Sequence, residues 1–309
     1  MNIDLIASFI ASAVRQAAPL TLAGLGVAYA EKAGILNIGE EAVMLFGAFL
    51  GFIVAFFSGS LFLGILAGMA GGLMISMLHA FMCIHCRANQ TISGLALNYL
   101  TLGLTSFLFL LAFGNTSTLP SLSKLVAIRI PLLADIPVIG EAFFDQNILV
   151  YILYGCIAVS CVVLYRTEWG TSIVAVGENP AAADMAGLNV FATRYMMCAL
   201  NGILGGLGGC CITLGQLGYF QENIISGKGY IALVAVILGR RNPVGILLTA
   251  MVIGFTESLQ FSLQAIGIPL PSQAFSMLPY VVSVIVLLFS CGKNLDPAAL
   301  GIPYERDKR

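Results

Sequence analysis

Long apolar runs separated by short polar breaks dominate the chain. Nine runs cross or nearly cross a bilayer at roughly 20 residues per helix. They cover about 5–30, 42–57, 61–82, 91–113, 147–165, 194–214, 230–239, 244–265 and 274–290. The pattern predicts an all-α polytopic membrane protein with about nine transmembrane helices, eight to ten once broken segments are allowed for. All of them belong to a single transmembrane domain, 1–309.

Two breaks are unlike ordinary turns. Gly34-Ile-Leu-Asn-Ile-Gly-Glu-Glu41 and Gly227-Lys-Gly-Tyr-Ile-Ala232 both put glycines and polar residues at the edge of short apolar runs. Irregular backbone at membrane depth persists only where protein buries it or where it lines a wet cavity. A pair of such re-entrant or broken segments in two parts of one chain points to a transport path.

Three connectors stand out between the runs. Residues 114–146 form a long loop with Pro120, Pro131 and Pro137, expected outside the cell. Residues 166–193 form a polar connector, and 291–309 a polar tail, both expected in the cytoplasm. Within 166–193, Gly177 to Gly187 is written as a small surface helix. Asn179 is a natural N-cap, Pro180 suits the first turn and Gly187 a stop. Ala181, Ala182 and Ala183 favour helix with little bulk, which suits a docking knob.

Composition changes the picture in one respect. The chain is 59% hydrophobic and 9% charged, with a mean hydropathy of +0.97. A soluble domain carries roughly a quarter charged residues, so a soluble fold is excluded. A net charge of −1, with basic residues unclustered, gives no footprint for nucleic acid. Membrane lipids are the expected surroundings. Met1-Asn-Ile-Asp4 lacks a positive leader region, so the first segment is expected to be retained.

Lysine and arginine set the orientation. Counting connectors alternately places Lys32, Arg87, Arg166, Arg194, Arg240, Arg241, Lys293, Arg306, Lys308 and Arg309 on one side, read as cytoplasmic. Lys124, Arg129 and Lys228 fall on the other, and Arg15 lies within a span. Nine crossings put the N-terminus outside, and a re-entrant segment would change that parity.

No catalytic constellation emerges and no cofactor is implied. Ser226-Gly-Lys-Gly229 contains a Gly-Lys pair, but Glu222 and Gly229 occupy the first glycine and the hydroxyl position of a phosphate loop. ATP-driven movement would therefore need another subunit for hydrolysis. His79, Cys83, His85 and Cys86 raise a zinc hypothesis, although one CxxC without a second half favours an ordinary helix end.

Intramembrane polar groups are the remaining leads, since ionisable side chains there pair up or line a cavity. Glu257 lies mid-span, with Gln260 and Gln264 on roughly the same face. Asn98, Asn201 and Gln216 are further candidates, and helix-to-helix hydrogen bonding is the alternative reading for each. Arg15 is a candidate partner for Glu257. Glu40 and Glu41 begin a helix, where carboxylates offset the dipole.

Four stretches carry a family resemblance. They are Glu31-Lys-Ala-Gly-Ile-Leu-Asn-Ile-Gly-Glu-Glu-Ala-Val-Met44, Arg87-Ala-Asn-Gln-Thr-Ile-Ser-Gly-Leu-Ala-Leu-Asn98, Ala175-Val-Gly-Glu-Asn-Pro-Ala-Ala-Ala-Asp-Met-Ala-Gly-Leu188 and Gly227 to Pro243. Together they resemble bacterial ABC-importer permeases of the ribose and branched-chain amino acid class. Gly-Arg-Arg-Asn-Pro243 and Phe255-Thr-Glu-Ser-Leu-Gln260 most resemble the nucleoside permeases of that class.

The resemblance implies a non-enzymatic transport subunit of the bacterial inner membrane. It also implies three partners: an ABC ATPase with two nucleotide-binding cassettes, a second homologous permease chain (or a homodimer), and an extracytoplasmic solute-binding lipoprotein. Coupling to the ATPase is expected at Gly177, Glu178, Asn179, Pro180, Ala182, Ala183 and Gly187. The translocation path is expected at Asn37, Glu41, Asn98, Gln216, Glu257 and Gln260. Ala181 stands where many importers place Glu, and Cys83-Ile-His-Cys86 departs from the usual apolar or basic residues. The competing readings are the same class carrying ribose-type sugars or branched-chain amino acids, an ion-coupled secondary transporter centred on Glu257, and a membrane metalloenzyme built on His79 to Cys86.

Overall fold

The computed structural model describes residues 3–114, 119–131, 133–134, 136, 139–265, 272–289 and 296–306. Its helices are α1 (Ile3–Lys32), α2 (Glu40–Ser58), α3 (Leu61–Ala80), α4 (Gln90–Phe113), α5 (Ile139–Phe144), α6 (Ile148–Arg166), α7 (Glu168–Glu178) and α8 (Pro180–Met185). They continue with α9 (Val190–Cys210), α10 (Lys228–Leu238), α11 (Pro243–Ala265), α12 (Ser272–Ser276) and α13 (Leu278–Phe289). Wider π-type turns extend α3 through Phe81–His85 and α9 through Cys211–Leu217. Strands β1 (Ala127–Arg129) and β2 (Asp145–Asn147) pair antiparallel, with Ile128 opposite Gln146.

Seven helices among the described residues are long and apolar enough to cross a membrane. The other two runs that read as spans are shorter helices, α10 and α13. For α10 the reason is local. Residues 218–227 leave the helical path, with Gly218 and Gly227 at positive φ (79° and 85°), so the helix begins only at Lys228.

The centre of the bundle is α1, α2 and α9, whose apolar side chains are largely buried, with α3 packed on it through a face of glycines. Glycines let the backbones of α2, α3 and α9 meet: a Cβ on Gly47 of α2 would sit 2.5 Å from the Cα of Gly206 on α9. Without a hydrophobic force between helices in lipid, such close van der Waals packing is what holds spans together. Helices α4, α6 and α13 keep rows of large apolar side chains exposed, as spans facing lipid or another chain do.

Pro19 sits inside α1 and cannot donate to the carbonyl of Arg15. The Gln216 side-chain amide donates to that carbonyl instead, at 2.7 Å. At one end of the bundle lie residues 119–131, α5 and β2, tied to the end of the α9 extension by Leu122 N–H to the Gly218 carbonyl. At the other lie α7, α8 and residues 296–306, packed on the end of α1.

Candidate functional site: the meeting of the broken segments and the surface helix

The two irregular stretches meet. The first falls between α1 and α2, where Gly34 turns the chain at φ 88°. The connector does not stay at the level where α1 ends. Glu40 bonds Asn201, and Asn201 packs against Gly26 of α1, six residues before Lys32. At 1.5 Å per residue, α2 therefore starts about 9 Å short of the end of α1. The intervening backbone is buried in protein, as irregular chain at that depth must be.

Side chains take over the bonds that a continuous helix would make. The Asn37 amide donates to the Asn201 side chain at 2.8 Å, and its own oxygen accepts from Gly39 N–H at 3.0 Å. Asn201 donates to Glu40 at 2.8 Å, and Ser76 of α3 donates to the Asn201 oxygen at 3.2 Å. Leu36 N–H donates to Gln90, and His79 meets the Leu36 carbonyl at 3.2 Å. Glu40 Oε1 is buried without a hydrogen-bond partner.

Glu41 joins this stretch to the second one. Its two carboxylate oxygens accept from Gly227 N–H and Gly229 N–H, each at 2.8 Å. These are otherwise unpaired amides at the start of α10, which has no side-chain cap of its own. Asn98 completes the junction. Its oxygen accepts from Ala42 N–H, and its amide donates to the Ile38 carbonyl and to the Tyr230 hydroxyl. Asn37, Glu41 and Asn98 are thus brought together with Glu40 and Asn201.

The other expected path residues lie apart. Gln216 is spent on the α1 carbonyl described above. Glu257 pairs with Lys228 at 2.8 Å, and the same ammonium donates to Gln16 at 3.3 Å. The partner of Glu257 is therefore Lys228, not Arg15. Lys228 lies between α1 and α11 and so leaves the charge count for the outer side. Gln260 donates to the Ser276 hydroxyl at 3.4 Å.

The His/Cys cluster divides. His79 and Cys83 point inward and contact each other, while His85 and Cys86 are exposed and His85 stacks on Phe81. No group of three His, Cys, Asp or Glu suited to a metal is present among the described residues.

The surface helix is built as its residues suggest. The Asn179 side chain accepts from Ala182 N–H at 3.0 Å, and Pro180 occupies the first position. Gly187, at φ 89°, closes the helix with Gly187 N–H to Asp184 and Leu188 N–H to Ala183. The seven residues assigned to coupling split into two faces. Glu178, Asn179, Ala182 and Gly187 are exposed, Pro180 is half-buried, and Gly177 and Ala183 are buried. A Cβ on Gly177 would collide with the Lys32 carbonyl, so that glycine seats α7 against α1.

A family profile described as the branched-chain amino acid transport system permease component matches residues 9–289. The chain belongs to that family. It is the permease component of an ABC importer, a multi-pass subunit of the inner membrane that associates with an ATPase and a binding protein and does not itself hydrolyse ATP.

Similar proteins include the guanosine ABC transporter permease NupQ of Bacillus subtilis, 36% identical over 99% of both chains. The nucleoside ABC transporter permease NupC of Lactococcus lactis is also 36% identical, over 94% of each. A glucose ABC transporter permease of Haloferax volcanii, TsgC13, is 32% identical over 97% of this chain and 98% of its own. A solved metal-chelate type ABC transporter in an inward-facing conformation shares the fold, with a TM-score of 0.53 and 16% identity over 91% of this chain and 85% of its own. Membership of an ATP-driven family sets aside the ion-coupled carrier and the metalloenzyme.

Sequence reasoning named Asn201 and Glu40 but left both off the path. It missed Lys228 as an interior cation and Tyr230 as a hydrogen-bonding partner. Glycines on both sides of Lys228 and the broken helix around it were the available signal.

Proposed function

We propose that this permease carries nucleosides inward, as half of a channel completed by a second permease chain. The observation that carries the substrate is the 36% identity to two nucleoside permeases over nearly the whole chain. The end of the bundle holding α7 and α8 faces the cytoplasm and the end holding β1, α5 and β2 faces outside, where a solute-binding lipoprotein docks.

The exposed face of α8, with Glu178, Asn179, Pro180, Ala182 and Gly187, seats in an ATPase carrying two nucleotide-binding cassettes; Gly177 and Ala183 hold it in place from behind. Binding of ATP moves α8, and the bundle switches between outward and inward openings. Asn37, Glu41 and Asn98 shape the path by holding the broken segments in register. Gln216 on the α9 extension, and Glu257 and Gln260 on α11, act apart from that junction through their bonds to α1, α10 and α12. No bond chemistry is involved, and selectivity comes from differential contacts in the two states.

The test is ATP-dependent uptake of labelled guanosine into liposomes holding the assembled transporter and its binding protein, with ribose, glucose and leucine as competitors. Guanosine uptake that other nucleosides compete for supports the reading. Uptake of glucose, ribose or leucine without any nucleoside overturns it.

A further inference from the structure

Helix α8 has six residues, and only one of its side chains, Ala183, is buried. A helix that short is unstable alone and takes its stability from whatever it packs against. Ala183 shares a small apolar cluster with Val176, Val190 and Tyr304, and Tyr304 belongs to the C-terminal segment. The Tyr304 hydroxyl also donates to Asp184 at 3.0 Å, and Arg306 Nε donates to the same carboxylate oxygen at 3.1 Å.

The same segment grips the preceding helix and the elbow between α1 and α2. Ala299 N–H donates to the Gly177 carbonyl at 3.0 Å, and Ala298 N–H to the Glu178 carboxylate at 3.3 Å. Gly301 N–H donates to the Gly34 carbonyl at 3.1 Å. Arg194, a fully buried cation, donates to the carbonyls of Ala33 and Ile302 at once, at 3.1 and 3.2 Å. Asp296 is held at 2.7 Å by Arg241, which also pairs with Glu31 at the end of α1.

These bonds form one continuous connection. It runs from Asp184 on α8 through Tyr304 and Ile302 to Arg194 and Gly34, and three residues further on to Asn37 and its bond with Asn201. We propose that residues 296–306 are a strap that makes α8 and the α1–α2 elbow move as one body, with Asp184, Tyr304 and Arg306 as positioning residues for ATP-driven transport. The proposal rests on α8 being the coupling helix. Packed, hydrogen-bonded chains of this kind carry coupling between sites only where they link elements that move, so the experiment has to read coupling itself.

The assembled transporter, with its ATPase and binding protein in liposomes, is compared with a variant carrying both Tyr304→Phe and Arg306→Gln. The expected result is unchanged recovery of ATPase with the permease, continued ATP hydrolysis, and a fall of roughly fivefold or more in solute taken up per ATP, the low end for coupled sites. Exchanging the charges, Asp184→Arg with Arg306→Asp, should recover more uptake per ATP than either single change. An unchanged ratio of uptake to hydrolysis overturns the strap. Loss of the ATPase from the Tyr304→Phe, Arg306→Gln complex also overturns it, by making the segment part of the docking surface. Met185→Glu on the exposed face of α8 separates the two readings. It should release the ATPase, and if it does not, the coupling-helix assignment fails and the strap with it.

Discussion

Replacing Glu41 with Ala should free the start of α10 while leaving the rest of the bundle folded. The Glu41 carboxylate accepts two backbone N–H groups at 2.8 Å, and its residue is only 8% exposed. Truncation leaves both amides without that partner, and each buried orphan costs about 1–3 kcal/mol. Part of the loss is offset because Gly227 is half-buried and water can reach it, so about 2–4 kcal/mol of local stability is expected to go. At 1.4 kcal/mol per tenfold, amide exchange across residues 227–232 should accelerate by roughly 30- to 700-fold. Glu41→Gln keeps one acceptor and loses the charge, so its acceleration should be smaller. The assay is hydrogen exchange followed by mass spectrometry on the permease in nanodiscs, with peptides from α3 as the unchanged reference. Exchange within about twofold of the unaltered protein would refute the claim that Glu41 holds the two broken segments together.

Lys228→Ala strands Glu257 in a buried site and should cost about 3 kcal/mol, the low end for a broken buried pair because Lys228 retains some exposure. Thermal unfolding should show that loss, and the Lys228→Met, Glu257→Met double variant should regain most of it. Gly187→Ala forces a side chain into the left-handed region at φ 89° and should cost roughly 1–2 kcal/mol at the end of α8. Its readout is substrate-stimulated ATP hydrolysis, which should fall while the complex still assembles. A membrane-impermeant maleimide should label Cys86 and spare Cys83, Cys198, Cys210 and Cys211, which are buried. Peptide mapping should find the label at Cys86, and its absence there would contradict the π-turn geometry at Phe81–His85.

Most of the architecture could be read from the sequence because membrane spans announce themselves by length and hydropathy alone. The surface helix was equally legible, since Asn179, Pro180 and Gly187 act through local backbone chemistry that no distant contact overrides. The junction was only half legible. Glycines and polar residues marked Gly34–Glu41 and Gly227–Ala232 as irregular, but the bond from Glu41 to Gly227 crosses 186 residues, which no local pattern encodes. From the sequence, Glu257 has a functional or pairing role with Arg15 as candidate partner, while the charge count puts Lys228 on the outer side. What separates them is the fold: Lys228 starts α10 beside α11, whereas Arg15 lies near Asp145 and Glu141. Gln216 read as a path residue because the carbonyl that it satisfies is unpaired only through Pro19, on another helix.

The glycine contacts among α2, α3 and α9 restrict how this protein can work. Helices that touch through side chains can slide, because side chains re-rotamerise as they pass. Helices that touch backbone to backbone, as at Gly47 and Gly206, have nothing to rearrange and so form one rigid block. Opening and closing must then occur at the edges of that block, where 218–227 is non-helical and α10 is anchored by side chains from its neighbours. The block would act as a fixed wall, and on the proposed transport cycle the start of α10, held by Glu41 and Glu257, is where hinging against it is expected.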